Sequence, residues 1–396
     1  MNHPVLPLTF RHVSPELRIY CGEDSVAALA RELKRCGSQR AVVVCGNTVG
    51  QSVAMNQLRE MLGEILVGES HHVKSNSPIP AVEEVVRALR ELQADAVISV
   101  GGGSAAVTGR AASILLAEGK PARELCTRRL PNGDFHSPRL DAAKLPQFII
   151  PTTPSTAFVK AGSAVHEAHT GQRLALFDPK TRAKALFVHP EFLRTSPPVL
   201  TRGASLNTLS TAIEALESPR CDPVSEASLV HALRLIAGFL GDSSLNLAAV
   251  RERLVIAAIL CGRGTEQAGG GIATVLSHAI GHRARISGGI VNAIVLPHTM
   301  RFNAPVTVTT APRIVDGLSG AKVNGASCRN DPAGAVELVE ALLGTLDLPR
   351  RLRDIGIAQT DLKQIAETAM ADWFIQRGPR PINGVEDLQH LLELAW

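Results

Sequence analysis

At 396 residues, 45% hydrophobic and 20% charged, the chain has the composition of a folded protein, and its length favours two domains over one. A formal charge of +4 with dispersed basic residues argues against a nucleic-acid partner, and no uninterrupted apolar stretch is long enough to cross a bilayer. Seven cysteines (Cys21, Cys36, Cys45, Cys126, Cys221, Cys261 and Cys328) form no CxxC pair, which argues against a disulfide framework or structural zinc and, with no export signal at the N-terminus, for a cytoplasmic protein.

The first half alternates short β-rich runs with helical stretches: "QRAVVVCGNTVG", "AVEEVVRALRELQ", "ADAVISVGGGS" and "AAVTGRAASILLAEG". Such βαβ grammar predicts a parallel sheet covered on both faces. Further strands are expected in "EILVG" (64–68), "QFIIPTT" (147–153), "RLALFD" (173–178) and "KALFVHP" (184–190). Beyond Pro197 and Pro198 the spacing becomes helical, with Leu206, Leu209, Ile213 and Leu216 in one series and Leu229, Leu233, Ile236 and Leu240 in another. The expected organisation is an α/β domain over 1–197 and an all-α domain over 198–396.

"ISVGGGSAAVTGR" reads as a strand, a three-glycine turn and a helix. Gly101, Gly102 and Gly103 would let the backbone approach an anion, and Ser104 adds a hydroxyl at the helix N-terminus. The same pattern also describes a tight strand-to-helix turn. "IIPTTPSTAF" ends a strand in Thr152, Thr153, Ser155 and Thr156, hydroxyls placed where open α/β sheets bind ligands, although such clusters are commonly just turns.

Taken together, "GGGS", "PTT", "NTLSTAIEAL", "LSHAIGH", "VNAIVLPHTMRFN" and "LRDIGI" resemble the iron-containing (group III) alcohol dehydrogenase superfamily, which includes maleylacetate reductases and is similar in fold to dehydroquinate synthase. The resemblance spans nearly the whole chain. It implies an N-terminal Rossmann-like α/β domain that binds NAD or NADP, an all-α C-terminal domain, and an active site in the cleft between them. It also implies a small-molecule substrate and a homodimer. The loop holding Asn47 resembles the adenosine end of the site, but no charged residue there chooses between NAD and NADP.

The resemblance also implies a divalent metal held by an Asp and three His. At the aligned places this chain carries Asn207, Thr211, Thr274 and Gly288, so no metal is expected: an amide, two hydroxyls and a glycine give a cation neither charge compensation nor four good donors. A relocated site from His278, His282 and His298 is the remaining metal reading. On the nucleotide side, Val107 stands where the dehydrogenases usually carry an Asp, Gly109 and Arg110 stand for an Ala-Lys pair, and "PSTAFVK" puts Lys160 near where an acidic residue is usual.

Without a metal, carbonyl polarisation must come from side chains. His278 aligns with a family histidine close to the nicotinamide and is the expected proton donor, with Asn207, His282 and Lys160 as the other catalytic candidates. In "HRAR", Arg283 or Arg285 could anchor a carboxylate, or the run is a solvated turn. The reading is a metal-independent NAD(P)H-dependent reductase of a small anionic oxo or enoyl compound. Its alternatives are a non-redox lyase, isomerase or hydrolase using His278 for proton transfer, and a catalytically silent paralogue.

Overall fold

The runs "AVVVC" and "AVISVG" are, apart from Ser99, apolar on both strand faces, and strands of that kind are stable inside a parallel sheet covered on each side. They lie in such a sheet in the computed structural model, which describes residues 9–130, 132, 134–168, 171–241, 243–284, 286–319 and 329–396. The strands in chain order are β1 (Arg18–Cys21), β2 (Ala41–Cys45), β3 (Leu66–Ser70), β4 (Ala96–Gly101), β5 (Arg128–Arg129), β6 (Phe135–His136), β7 (Gln147–Pro151), β8 (Gly162–His166), β9 (Arg173–Phe177) and β10 (Ala183–Val188). Six form one parallel sheet in the order β1-β10-β7-β4-β2-β3.

Helices α1 (Leu29–Arg35), α2 (Asn47–Gly50), α3 (Val53–Leu62), α4 (Ile79–Glu91), α5 (Gly103–Glu118), α6 (Ala122–Leu125) and α7 (Pro190–Arg194) belong to this half. Val43, Cys45, Ile98 and Phe148 pack with Leu29, Leu33, Met55 and Leu58 of α1 and α3. The intervening Val42, Val44 and Val97 pack instead with Val82, Val85 and Leu89 of α4 and Ile114 of α5. Successive strand residues thus serve opposite helical layers, each buried Val, Leu or Ile contributing about 1.5–3 kcal/mol.

β1, β5, β6 and β8 are not among the strands expected from the sequence. β1 is a short edge strand whose residues alternate between exposed and half-buried, a weak signal in four residues. "RLALFD" does form a strand, but β9 pairs antiparallel with β8 in a separate two-stranded sheet. Its alternating burial, unlike the fully buried β2 and β7, shows why: only one face of it is covered.

Pro198 opens α8 (Pro198–Glu217) at a position where its missing N–H costs nothing. The rest is helical: α9 (Pro223–Phe239), α10 (Ala248–Ala268), α11 (Ile272–Ala284), α12 (Gly288–Asn303), α13 (Ala311–Leu318), α14 (Pro332–Gly344), α15 (Leu362–Ala369) and α16 (Val385–Ala395). They share a core of Leu, Ile, Val and Ala side chains. Val255 and Ile259 of α10 join Ile149, Phe158 and Leu186 of the sheet half in one buried cluster, and Arg182 pairs with Glu266 of α10 at 2.6 Å. No helix among the described residues is long and apolar enough to cross a membrane.

Helices α8 and α12 meet at backbone contact: a Cβ on Gly289 would lie 1.7 Å from the Gly203 carbonyl oxygen. That approach brings Asn292 of α12 within 3.0 Å of Asn207 of α8. Gly289→Ala therefore cannot be absorbed by a side-chain rotation and is expected to destabilise the fold by about 1–3 kcal/mol or more. Thermal denaturation checks this, and an unchanged Tm would show that the helices do not pack so closely.

Candidate active site

Between the carboxyl edge of the sheet and the helical half lies an open cleft of about 970 Å3. One end is built by the three-glycine turn. Gly101 closes β4 at φ +151°, in a region that favours glycine, and Gly102 caps α5. A Cβ on Gly102 would lie 2.6 Å from Thr153 Oγ1, and one on Gly103 would lie 2.6 Å from Ser155 Oγ. Gly103 and Ser104 line the cleft, and their N–H groups, in the first turn of α5, have no carbonyl partner within the helix.

Behind this turn stand two residues that the sequence did not single out. Asn76 and Ser77 both adopt left-handed backbone (φ 62° and 46°), uncommon for residues with a side chain. Ser77 Oγ donates to the Ser104 carbonyl at 3.2 Å and accepts from Thr108 at 3.0 Å, and His166 Nδ1 lies 2.6 Å from the Asn76 carbonyl oxygen. The loop is held against the start of α5, and both residues line the cleft. No local pattern in "SNSP" reveals this conformation.

At the other end His278 of α11 lines the cleft, with Nδ1 2.7 Å from Asp372 Oδ2. Asp372 Oδ1 accepts the Phe374 N–H at 2.9 Å, and Arg173 of β9 lies 3.7 Å from Oδ2. Burial pushes the His278 imidazole below its usual range and the Arg173 charge adds to this, while the hydrogen bond and charge of Asp372 hold it up. Burial alone would raise the Asp372 carboxyl, but the hydrogen bond and charge of His278, the Phe374 N–H and Arg173 outweigh it and hold the group below its ordinary value. With Nδ1 committed to the carboxylate, Nε2 is the nitrogen left to exchange a proton. Asp372 lies 94 residues from its partner, so no sequence spacing could pair them.

Asn207 also lines the cleft. Its Oδ1 accepts from Asn292 Nδ2 at 3.0 Å, leaving its NH2 group without a partner among the described residues. Thr211, Thr274 and Gly288, the other three residues that the family resemblance sets against its metal ligands, are engaged or empty. Thr211 donates to the Asn207 carbonyl at 2.7 Å, Thr274 donates its hydroxyl to Glu214, and Ser277 Oγ donates to the Gly288 carbonyl at 2.9 Å, where a Cβ on residue 288 would meet that same Oγ at 2.8 Å. Glu214 is buried, which raises its carboxyl above the ordinary value against the opposing hydrogen bonds of Thr274, Gly271 and Ala273. These residues do not fit a divalent cation: they carry no imidazole, and the nearby carboxylate is spent on Thr274 and the start of α11. Among the described residues no group of three or more His, Cys, Asp or Glu is placed to hold a metal.

The remaining candidates lie elsewhere. Lys160 is not in the cleft wall: its Nζ donates to Thr265 of α10 at 2.7 Å and lies 3.8 Å from Glu266, with burial, opposed by Glu266, bringing it down to about 8. Thr152 and Thr153 are buried beneath the glycine turn, the Thr156 carbonyl packs on α10 at Gly262, and Asn47 is exposed at the start of α2. Arg110 is buried and holds the Ala157 and Gly162 carbonyls at 2.8 and 2.7 Å. His298 lines a separate cavity with Glu340 and Arg350, so the structure does not bring it to His278. The side chains of His282 and Arg283, and the whole of Arg285, lie outside the described residues.

Comparison with known proteins matches residues 15–190 to the iron-containing alcohol dehydrogenase family and 201–396 to the C-terminal part of the Fe-containing alcohol dehydrogenase family. The lactaldehyde reductase of Escherichia coli K12 is 28% identical over 378 residues, covering 95% of this chain and 97% of that one. Maleylacetate reductase 1 of Rhodococcus opacus is 25% identical over 387 residues, covering 96% and 94%. The crystal structure of a sulfoacetaldehyde reductase from Bifidobacterium kashiwanohense in complex with NAD+ superimposes with a TM-score of 0.85 at 16% identity, covering 98% of this chain and 99% of that one.

The electrostatics of the histidine give a direct test. Asp372→Asn removes the hydrogen-bonded carboxylate that holds the His278 imidazole up and leaves in place the burial and the Arg173 charge that lower it. The titration midpoint of His278, followed by NMR of its ring protons, is expected to move to lower pH in the variant. An unchanged or raised midpoint would remove Asp372 from the site's proton chemistry.

Proposed function

Because this chain belongs to the iron-containing alcohol dehydrogenase family, we propose that it is an NAD(P)H-dependent reductase of a small oxo compound and that it works without a bound metal. The observation that carries the reading is one open cleft with a glycine turn at one end and the His278–Asp372 pair at the other, next to neutral, hydrogen-bonded residues at the metal positions.

The Gly101–Gly103 turn and Ser104 accept the diphosphate, where small side chains permit close approach and the first-turn N–H groups favour an anion. When bound, the nicotinamide supplies the hydride that forms a C–H bond at the carbonyl carbon. The electron pair of the broken C=O π bond passes to oxygen, and the proton that completes the alcohol comes from His278 Nε2. Asp372 fixes the ring through Nδ1 and stabilises the protonated imidazole, the role a carboxylate plays beside a general acid–base histidine. The Asn207 NH2 is the donor available to the developing alkoxide, a neutral substitute whose loss in comparable oxyanion sites costs about 100- to 1000-fold in turnover.

Because His278 titrates below its usual range, the protonated form falls away as pH rises through that lowered midpoint. Carbonyl reduction is therefore expected to slow with rising pH, and the reverse reaction, which needs the neutral ring, to gain.

The test is a fluorescence titration of chelator-treated protein with NADH and NADPH, followed by turnover of the His278→Ala variant. Saturable binding to either nucleotide, with turnover in the variant reduced by about 100-fold or more at near-normal nucleotide affinity, is expected for a general acid. Failure to bind either nucleotide would overturn the reductase reading, and unchanged turnover would remove His278 from it.

A further inference from the structure

Beside the cleft, and sharing Gln172 and Arg173 with its wall, is a second cavity of about 380 Å3 whose sides are rich in arginine. Arg123 comes from α6, Arg128 and Arg129 from β5, and Arg173 from the first residue of β9. The backbone brings them together. Thr127 N–H donates to the Ala175 carbonyl at 2.7 Å and Cys126 bridges to Leu176, so the segment joining α6 to β5 runs antiparallel beside β9.

Two of these four charges are already compensated, since Arg123 pairs with Glu167 and Arg173 with Asp372. Arg128 and Arg129 pair with no carboxylate among the described residues. Arg128 donates to the Arg123 carbonyl at 3.0 Å, and Arg129 lies over the Phe135 ring at 6.0 Å. Those contacts orient the guanidinium groups without neutralising them. Fixed, uncompensated guanidinium forks beside a concave wall are suited to bidentate recognition of a carboxylate, phosphate or sulfonate, and their field concentrates anions at the mouth of the cleft.

We propose that this cavity binds an anionic group carried by the substrate at the end remote from its carbonyl. The substrate class is then an oxo compound with a terminal carboxylate, phosphate or sulfonate, its carbonyl at His278 and its anion among Arg123, Arg128 and Arg129. Arg173 stands at the junction, one wall facing the anion and its guanidinium facing Asp372. This inference rests on the reductase reading of the cleft, and it gives that reading a source of selectivity that the three-glycine turn and the histidine do not supply.

The test uses the full chain and two readouts. The first compares succinic semialdehyde with butyraldehyde, a four-carbon pair differing in the terminal charge, as oxidants of NADH or NADPH. The second measures calorimetric binding of succinate, which carries the anion and no carbonyl. Wild-type protein is expected to prefer the semialdehyde in kcat/KM, and Arg128→Gln/Arg129→Gln to reduce that preference at least tenfold, chiefly through KM. Succinate binding should weaken in parallel. Both arginines are exposed on a short hairpin, and an unchanged Tm confirms that the variant folds.

A preference the double variant leaves intact, or an absence of succinate binding, overturns the anion subsite while aldehyde turnover leaves the reductase reading standing. Succinate binding that the variant abolishes, in a protein that reduces neither aldehyde, upholds the subsite and overturns the reductase reading.

Discussion

A parallel sheet must be covered on both faces, and the crossovers that cover it deliver every strand's carboxyl end to one edge. In this protein that constraint places Gly101 at the end of β4 and the Pro151–Thr153 run at the end of β7, side by side, with Thr152 N–H bonded to the Gly101 carbonyl at 3.0 Å. The helical half packs against the same sheet through the contact of α10 with β7 and β10. Everything that makes a site follows: a helix N-terminus at one end of the opening, α11 at the other, and space between.

Within that opening, charge is arranged in a line. Arg173 on β9, Asp372 before Phe374, and His278 on α11 each come from a different element, and each changes the proton affinity of the next. A histidine whose Nδ1 is held by a carboxylate, with an arginine bordering that carboxylate, presents Nε2 for proton exchange. The neutral residues at Asn207, Thr211, Thr274 and Gly288 fit the same picture. They satisfy one another and the backbone of α8, α11 and α12, and they leave one amide facing the cleft.

The sequence makes the parallel sheet legible because β2 and β4 are almost wholly apolar, and it makes the helical half legible because leucines recur along α8 and α9. β1 and β8 escape notice because short strands covered on one face carry little pattern. The glycine turn and His278 are local features and can be read in place. Asp372, Arg173 and Asn292 act only through folding, across separations that no motif spans, and the backbone of Asn76 and Ser77 is imposed by their partners rather than by their identity. Lys160 shows the converse: an unusual residue in a site-like segment spends its charge on α10, where its Nζ donates to Thr265 and lies near Glu266.

We propose that carbonyl reduction here proceeds without a cation. The direct measurement is the rate of NADH and NADPH oxidation by a panel of short aldehydes and oxo acids, in exhaustively chelated protein and again after addition of Fe2+ or Zn2+. Equal rates are expected in both. Activity that disappears on chelation and returns with either metal would contradict it.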